Sequence, residues 1–210
     1  MRHVGTPGRE IGPNSGVDLY WLPLGAGDNT HCVRVNGRLY EALCARFDHR
    51  SAQPLFHAAL MVHVDGVRFT VEMTPVWGVR QLDRGVVCTG PVGARVLGRS
   101  RWFRYEVRRW RDGVIPDLDE AVESPQRVSA DRAVAARVLD LLPEFRTATW
   151  GRDELGTGDM WNSNSLIAWV LTRAGVDARA LTPPDLGRAP GWAAGLVVAA
   201  REHADLPGFR

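Results

Sequence analysis

The chain contains no lysine: all 26 of its basic residues are arginine. That absence excludes Schiff-base chemistry, a lysine general base and the lysine of a P-loop phosphate cradle. Cysteine is scarce as well. Cys32, Cys44 and Cys88 form no C-x-x-C pair, so zinc-ribbon and dithiol redox chemistry lack their spacing. Cys44 shares a helical stripe with Leu39, Tyr40, Leu43 and Phe47, and Cys88 sits in the apolar run GVVCTG; both read as packing residues. Cys32 follows His31 directly, and neighbours on a chain rarely face each other, so no catalytic pair is read there. No histidine pair is spaced H-x-x-x-H. The acidic residues lack metal-loop spacing, so neither a metal nor a cofactor is expected. No apolar run approaches the roughly 20 residues of a membrane helix, and the opening residues lack the apolar centre of a signal peptide. A cytoplasmic protein without a membrane span is the expectation. Net charge is only +2, which supplies no long-range field favouring nucleic acid.

What is present is enough chain for one core. Residues 1–16, rich in Gly and Pro, read as a flexible N-terminal segment, and residues 17–205 as a single α+β domain. VDLYWLPLGAG predicts a strand ending in a glycine turn, residues 37–48 a helix, and RWFRYEVRRW a further strand. VSADRAVAARVLDLL predicts a helix with Ser129 as N-cap and Pro143 as its stop. Helices are also predicted over residues 163–174, with Gly175 as a left-handed terminator, and over WAAGLVVAAREH. Regular βαβ alternation is missing, which selects α+β over α/β.

Chemistry enters at FHAALMVHVDGVRFTVE. Asp65-Gly66 between two β-prone runs predicts a two-residue hairpin in which paired numbers sum to 131. One face then carries Ala58, Leu60, Val62, Val64, Val67, Phe69, Val71 and Met73, all apolar. The other carries His57, Ala59, Met61, His63, Arg68, Thr70, Glu72 and Thr74. Glu72 falls one diagonal step from His57, roughly 7–8 Å at Cβ, where a carboxylate could fix the imidazole tautomer. A solvated polar face with an incidental pair explains the same pattern.

The second feature is Trp161-Asn162-Ser163-Asn164-Ser165, heading a helix that is apolar nearly all round. A helix start offers unpaired N–H groups and a positive dipole end. A nucleophile there would find an oxyanion hole, and Ser and Asn are equally favoured as simple caps. One cap accounts for one of these residues.

This order of parts resembles the circularly permuted papain-like proteins of the NlpC/P60 superfamily, including the lecithin–retinol acyltransferase-like branch. In that family a histidine on a strand is followed by a polar partner on the next strand. Much later comes an Asn-Cys segment opening a buried helix. The resemblance covers about residues 55–175 and implies an antiparallel sheet with a buried central helix. It also implies His57 as general base, Glu72 as its orienting group and Ser163 where the family has its nucleophilic cysteine. Asn162, Asn164, Ser165 and Trp161 would line the substrate site, together with Arg188 of GRAPGW as a partner for an anionic group. The missing thiol is a departure, because a serine hydroxyl cannot form a ground-state ion pair with imidazole. Two readings follow. One is a serine-dependent hydrolase or acyltransferase acting on an amide, ester or thioester of a small-molecule, acyl or peptidyl substrate. The other is a domain that has lost catalysis and binds. The stretch GRSRWFRYEVRRWRDG, with arginines among aromatics, could serve a nucleic-acid or protein adaptor; a charge-protected edge strand is the plainer reading.

Overall fold

The Asp65-Gly66 hairpin anchors the architecture. In the computed structural model, which describes residues 15–24, 46, 51–76, 84–115 and 118–204, both turn residues take positive φ, 52° and 79°. The flanking strands β2 (Phe56–Val64) and β3 (Val67–Pro75) pair Val64 with Val67 and Leu60 with Val71, the register expected from the turn. Around them lie β1 (Gly16–Pro23), β4 (Val86–Pro91), β5 (Arg104–Arg111) and β6 (Val122–Ser129). All pairings among these six strands are antiparallel, and the sheet order is β4-β5-β3-β2-β1-β6. Three α-helices have their bounds among the described residues: α1 (Arg132–Leu141), α2 (Ser163–Ala174) and α3 (Trp192–Ala204). The fold is therefore α+β. No helix among the described residues is long and apolar enough to cross a membrane.

The helices pack on one face of the sheet. Leu19, Trp21, Ala58, Leu60, Val71 and Met73 share a single buried cluster with Leu166, Ile167, Trp169 and Val198. Helix α2 is buried on every side, as its unbroken apolar surface demands. Helix α3 approaches it closely through Gly195, where a Cβ would come within 2.3 Å of the Ser165 carbonyl oxygen. Phe145 stacks on Trp161, ring centroids 4.9 Å apart.

Several expectations are corrected. The cap of α1 is Asp131, whose carboxylate accepts from Ala133 N–H, while Ser129 ends β6 and accepts from Asp131 N–H. Strand β5 begins at Arg104, with Arg101–Phe103 forming a 3₁₀ turn, and it is an interior strand. The polar face of the hairpin is not a solvated one. Tyr20, Leu22, Ala59, Met61 and Ile115 form a second buried cluster there, covered by Leu118 and Ala121. The readings of residues 1–14 as flexible, of a helix over 37–48, and of His31, Cys32 and Cys44 lie outside the described residues, apart from Arg46, which is helical.

Candidate functional site

The hairpin register runs out at Leu60–Val71. Beyond it β2 stays with β1 as far as Phe56–Pro23, while β3 stays with β5 as far as Pro75–Tyr105. The sheet thus parts between its two central strands, and the freed edge of β2 must find other partners. Two segments supply them. Arg188 N–H donates to Pro54 C=O and Arg188 C=O accepts from Phe56 N–H, both at 2.8 Å. One residue further along, the Asn164 side chain stands in for a peptide group. Its Oδ1 accepts from Ala58 N–H at 2.8 Å, and its Nδ2 donates to Phe56 C=O at 3.0 Å.

The start of α2 and the GRAPGW loop are locked together at this parting. Asn162 is the N-cap: its Oδ1 accepts from Asn164 and Ser165 N–H, and Ser165 Oγ reciprocates by accepting from Asn162 N–H at 3.0 Å. Asn162 and Asn164 both donate from Nδ2 to Pro190 C=O, at 2.8 and 2.9 Å. Ser165 Oγ donates to Gly191 C=O at 2.8 Å, and Gly191 N–H donates to Asp159 at 2.7 Å. Gly191 has φ of 90°, and a Cβ there would lie 2.2 Å from Asn162 Oδ1, so the loop and the cap require glycine at this point. Trp161 is buried, its indole N–H donating to Arg146 C=O.

Of the residues expected at the site, Trp161, Asn162, Ser163, Asn164, Ser165 and the Arg188 backbone meet here. Asn162, Asn164 and Ser165 are committed to holding the junction. Ser163 is different. It is 7% exposed, yet neither its amide N–H nor its hydroxyl bonds to a described residue. Asp159 belongs to the junction and was not expected; a lone acid before a cap carries no distinguishing sequence signal.

His57 and Glu72 do not join this group. His57 pairs with Leu22, so its side chain lies on the Leu22–Ala59–Met61 face, across the sheet from α2. The ring makes no hydrogen bond to Ser163 or to any other described residue. Burial lowers its pKa from 6.5 to about 4, and no carboxylate among the described residues opposes the shift. Glu72 is held instead by Arg108, whose Nη1 donates to it at 2.8 Å. The diagonal contact between Glu72 and His57 fails because the strands have already separated at Ala59.

The shift of His57 has a consequence for stability. Its folded-state pKa lies below the unfolded one, so protonation favours the unfolded chain, and stability falls as pH drops from 6.5 toward about 4. His57→Gln should flatten that part of the profile, read as urea midpoints at about pH 7 and about pH 5. An unchanged slope would show the ring to be solvated in the folded protein.

Comparison with protein families, curated proteins and solved structures finds no match for this chain.

Proposed function

We propose that this chain is a binding domain on a permuted papain-like scaffold that lacks the catalytic centre of that family. The observation that carries this reading is that His57 lies on the Leu22–Ala59–Met61 face of β2 and makes no hydrogen bond to Ser163. Without an adjacent base a serine hydroxyl stays protonated and is a poor nucleophile. His57, neutral through the physiological range and without an orienting carboxylate among the described residues, lacks the partner of a triad histidine.

The same geometry supports Ser163 as the ligand contact. Its N–H and O–H are two donors at the positive end of a 12-residue helix, suited to an acceptor oxygen such as that of a carboxylate or an amide carbonyl. The neighbouring bonds hold those donors in place, which spares a ligand the cost of ordering them. Arg188 rides on the strand-like segment attached to the junction and adds positive charge beside it.

Two measurements test the reading. A fluorophosphonate should fail to label Ser163, and hydrolysis of activated esters should be the same for the wild type and Ser163→Ala. In ¹⁵N-resolved spectra, titration with acetate or an N-acetylated dipeptide should shift the Ser163 and Asn164 amides in the wild type, and the Asn164 amide should stay unmoved in Ser163→Pro, which lacks the donor at position 163. Labelling that disappears in both Ser163→Ala and His57→Ala would restore the acyl-transfer reading and overturn this one.

A further inference from the structure

A second surface, away from the α2 junction, carries its own chemistry. Residues 95–104 contain four arginines and no acidic residue. Within them, two successive 3₁₀ turns, Arg95–Arg99 and Arg101–Phe103, link edge strand β4 to β5. These turns hold apolar side chains in water: Val96 is 66% exposed, Trp102 57%, Phe103 41% and Leu97 39%. Isolated exposed apolar residues are ordinary, but four within eight positions are not.

The turns are built to keep this conformation. Ser100 N–H donates to Leu97 C=O at 2.9 Å, and Ser100 Oγ accepts from Trp102 N–H. Gly98 lies against Pro91, where a Cβ would come within 2.7 Å of the ring. Arg104 Nε donates to Gly98 C=O at 2.6 Å, and Arg95 reaches Glu154 at 3.2 Å. Arg99 and Arg101 have no acidic partner among the described residues, and the Arg101 guanidinium lies over the Trp102 ring, 5.2 Å from its centroid.

We infer that this turn pair is a docking surface for an anionic lipid bilayer, with Val96, Leu97, Trp102 and Phe103 entering the interfacial region and Arg99 and Arg101 meeting lipid headgroups. The charge is complementary to such a surface. Aliphatic side chains gain by entering the acyl boundary, and an indole favours the headgroup level. A single-stranded nucleic acid would use the aromatics and arginines but give Val96 and Leu97 nothing to bind, since bases stack on rings. This surface does not depend on the reading of Ser163.

The test is co-sedimentation of the full chain with vesicles of phosphatidylcholine alone and of phosphatidylcholine mixed with phosphatidylglycerol. Binding is expected to the mixed vesicles and not to the neutral ones. Arg99→Gln and Arg101→Gln should each weaken it about fivefold, and Val96→Ser with Leu97→Ser should weaken it about tenfold or more. All four positions are exposed, so thermal unfolding should stay unchanged and exclude misfolding as the cause. No binding to the mixed vesicles would overturn the proposal. So would binding that ignores the Val96/Leu97 change, or tighter binding to oligothymidylate than to vesicles.

Discussion

Asn164→Ala should cost about 3–5 kcal/mol of unfolding free energy, more than truncating many an apolar core residue. The side chain makes three hydrogen bonds, to Ala58 N–H, Phe56 C=O and Pro190 C=O. Ala58 N–H and Phe56 C=O are left behind with their desolvation uncompensated, at roughly 1–3 kcal/mol apiece, while Pro190 C=O keeps the Asn162 donor. Asn164 is 2% exposed, so water has poor access for repair. Asn164→Asp should fare no better near neutral pH, because it would aim an anion at two carbonyl oxygens. Urea denaturation measures both. A loss below about 1 kcal/mol would show that the freed edge of β2 has partners other than this amide.

Arg108→Met is expected to cost a similar amount, about 3–5 kcal/mol at neutral pH, and to show a pH dependence that identifies its cause. Arg108 is 4% exposed and lies between Glu72 and Glu106, donating to them at 2.8 and 3.0 Å. Burial pushes the Glu72 pKa up, and Arg108 partly offsets it. Burial also pushes on Glu106, but hydrogen bonds and charge from Arg84 and Arg108 outweigh it and the pKa falls. With the guanidinium gone, Glu72 is a buried anion facing a second carboxylate, and its folded-state pKa rises further above the unfolded one. Such a group destabilises the fold at high pH, and the loss is recovered as pH falls through its raised pKa. Arg108→Met combined with Glu72→Leu should regain much of the stability at neutral pH, because a well-packed apolar pair often replaces a buried ion pair at little cost. A pH-independent loss, or no rescue by the double change, would place the defect in packing.

The elements read best from sequence were those whose signals are local. Asp65-Gly66 demands positive φ at two residues, and the register follows from that alone for Leu60 to Val64. Asn162 and Gly175 bound α2 as cap and left-handed terminator, at φ of −163° and 95°. Strand β6 was not legible: VESPQRVS has no apolar alternation, as suits an edge strand that tolerates proline. The parting of β2 from β3 was invisible for a different reason. Asn164 meets β2 across 106 residues of chain, and no local rule predicts that a side-chain amide will replace a strand. The same parting separates Glu72 from the position beside His57 that unbroken pairing would give it. Burial of the second sheet face was likewise hidden, because Ile115, Leu118 and Ala121 arrive from a distant stretch with no strong periodicity.

Ser163, Asn162, Asn164 and Ser165 illustrate how polarity can mislead. Four polar residues before a buried helix suggest reactive chemistry, but three of them are consumed by the geometry of the parting. Only Ser163 has donors to offer.

Titration of Ser163→Cys, followed by thiolate absorbance as the difference from the parent chain, tests the separation of that position from His57. Cys88 does not interfere near neutrality, since burial raises its pKa to about 11. The helix dipole alone lowers a thiol pKa at such a position, so the informative comparison is with Ser163→Cys carrying His57→Ala as well. The placement of His57 on the Leu22–Ala59–Met61 face of β2 predicts the same titration midpoint in both proteins. A midpoint that rises by about one unit or more on loss of the imidazole would mean that ring and thiol are neighbours, and the non-catalytic account would be wrong.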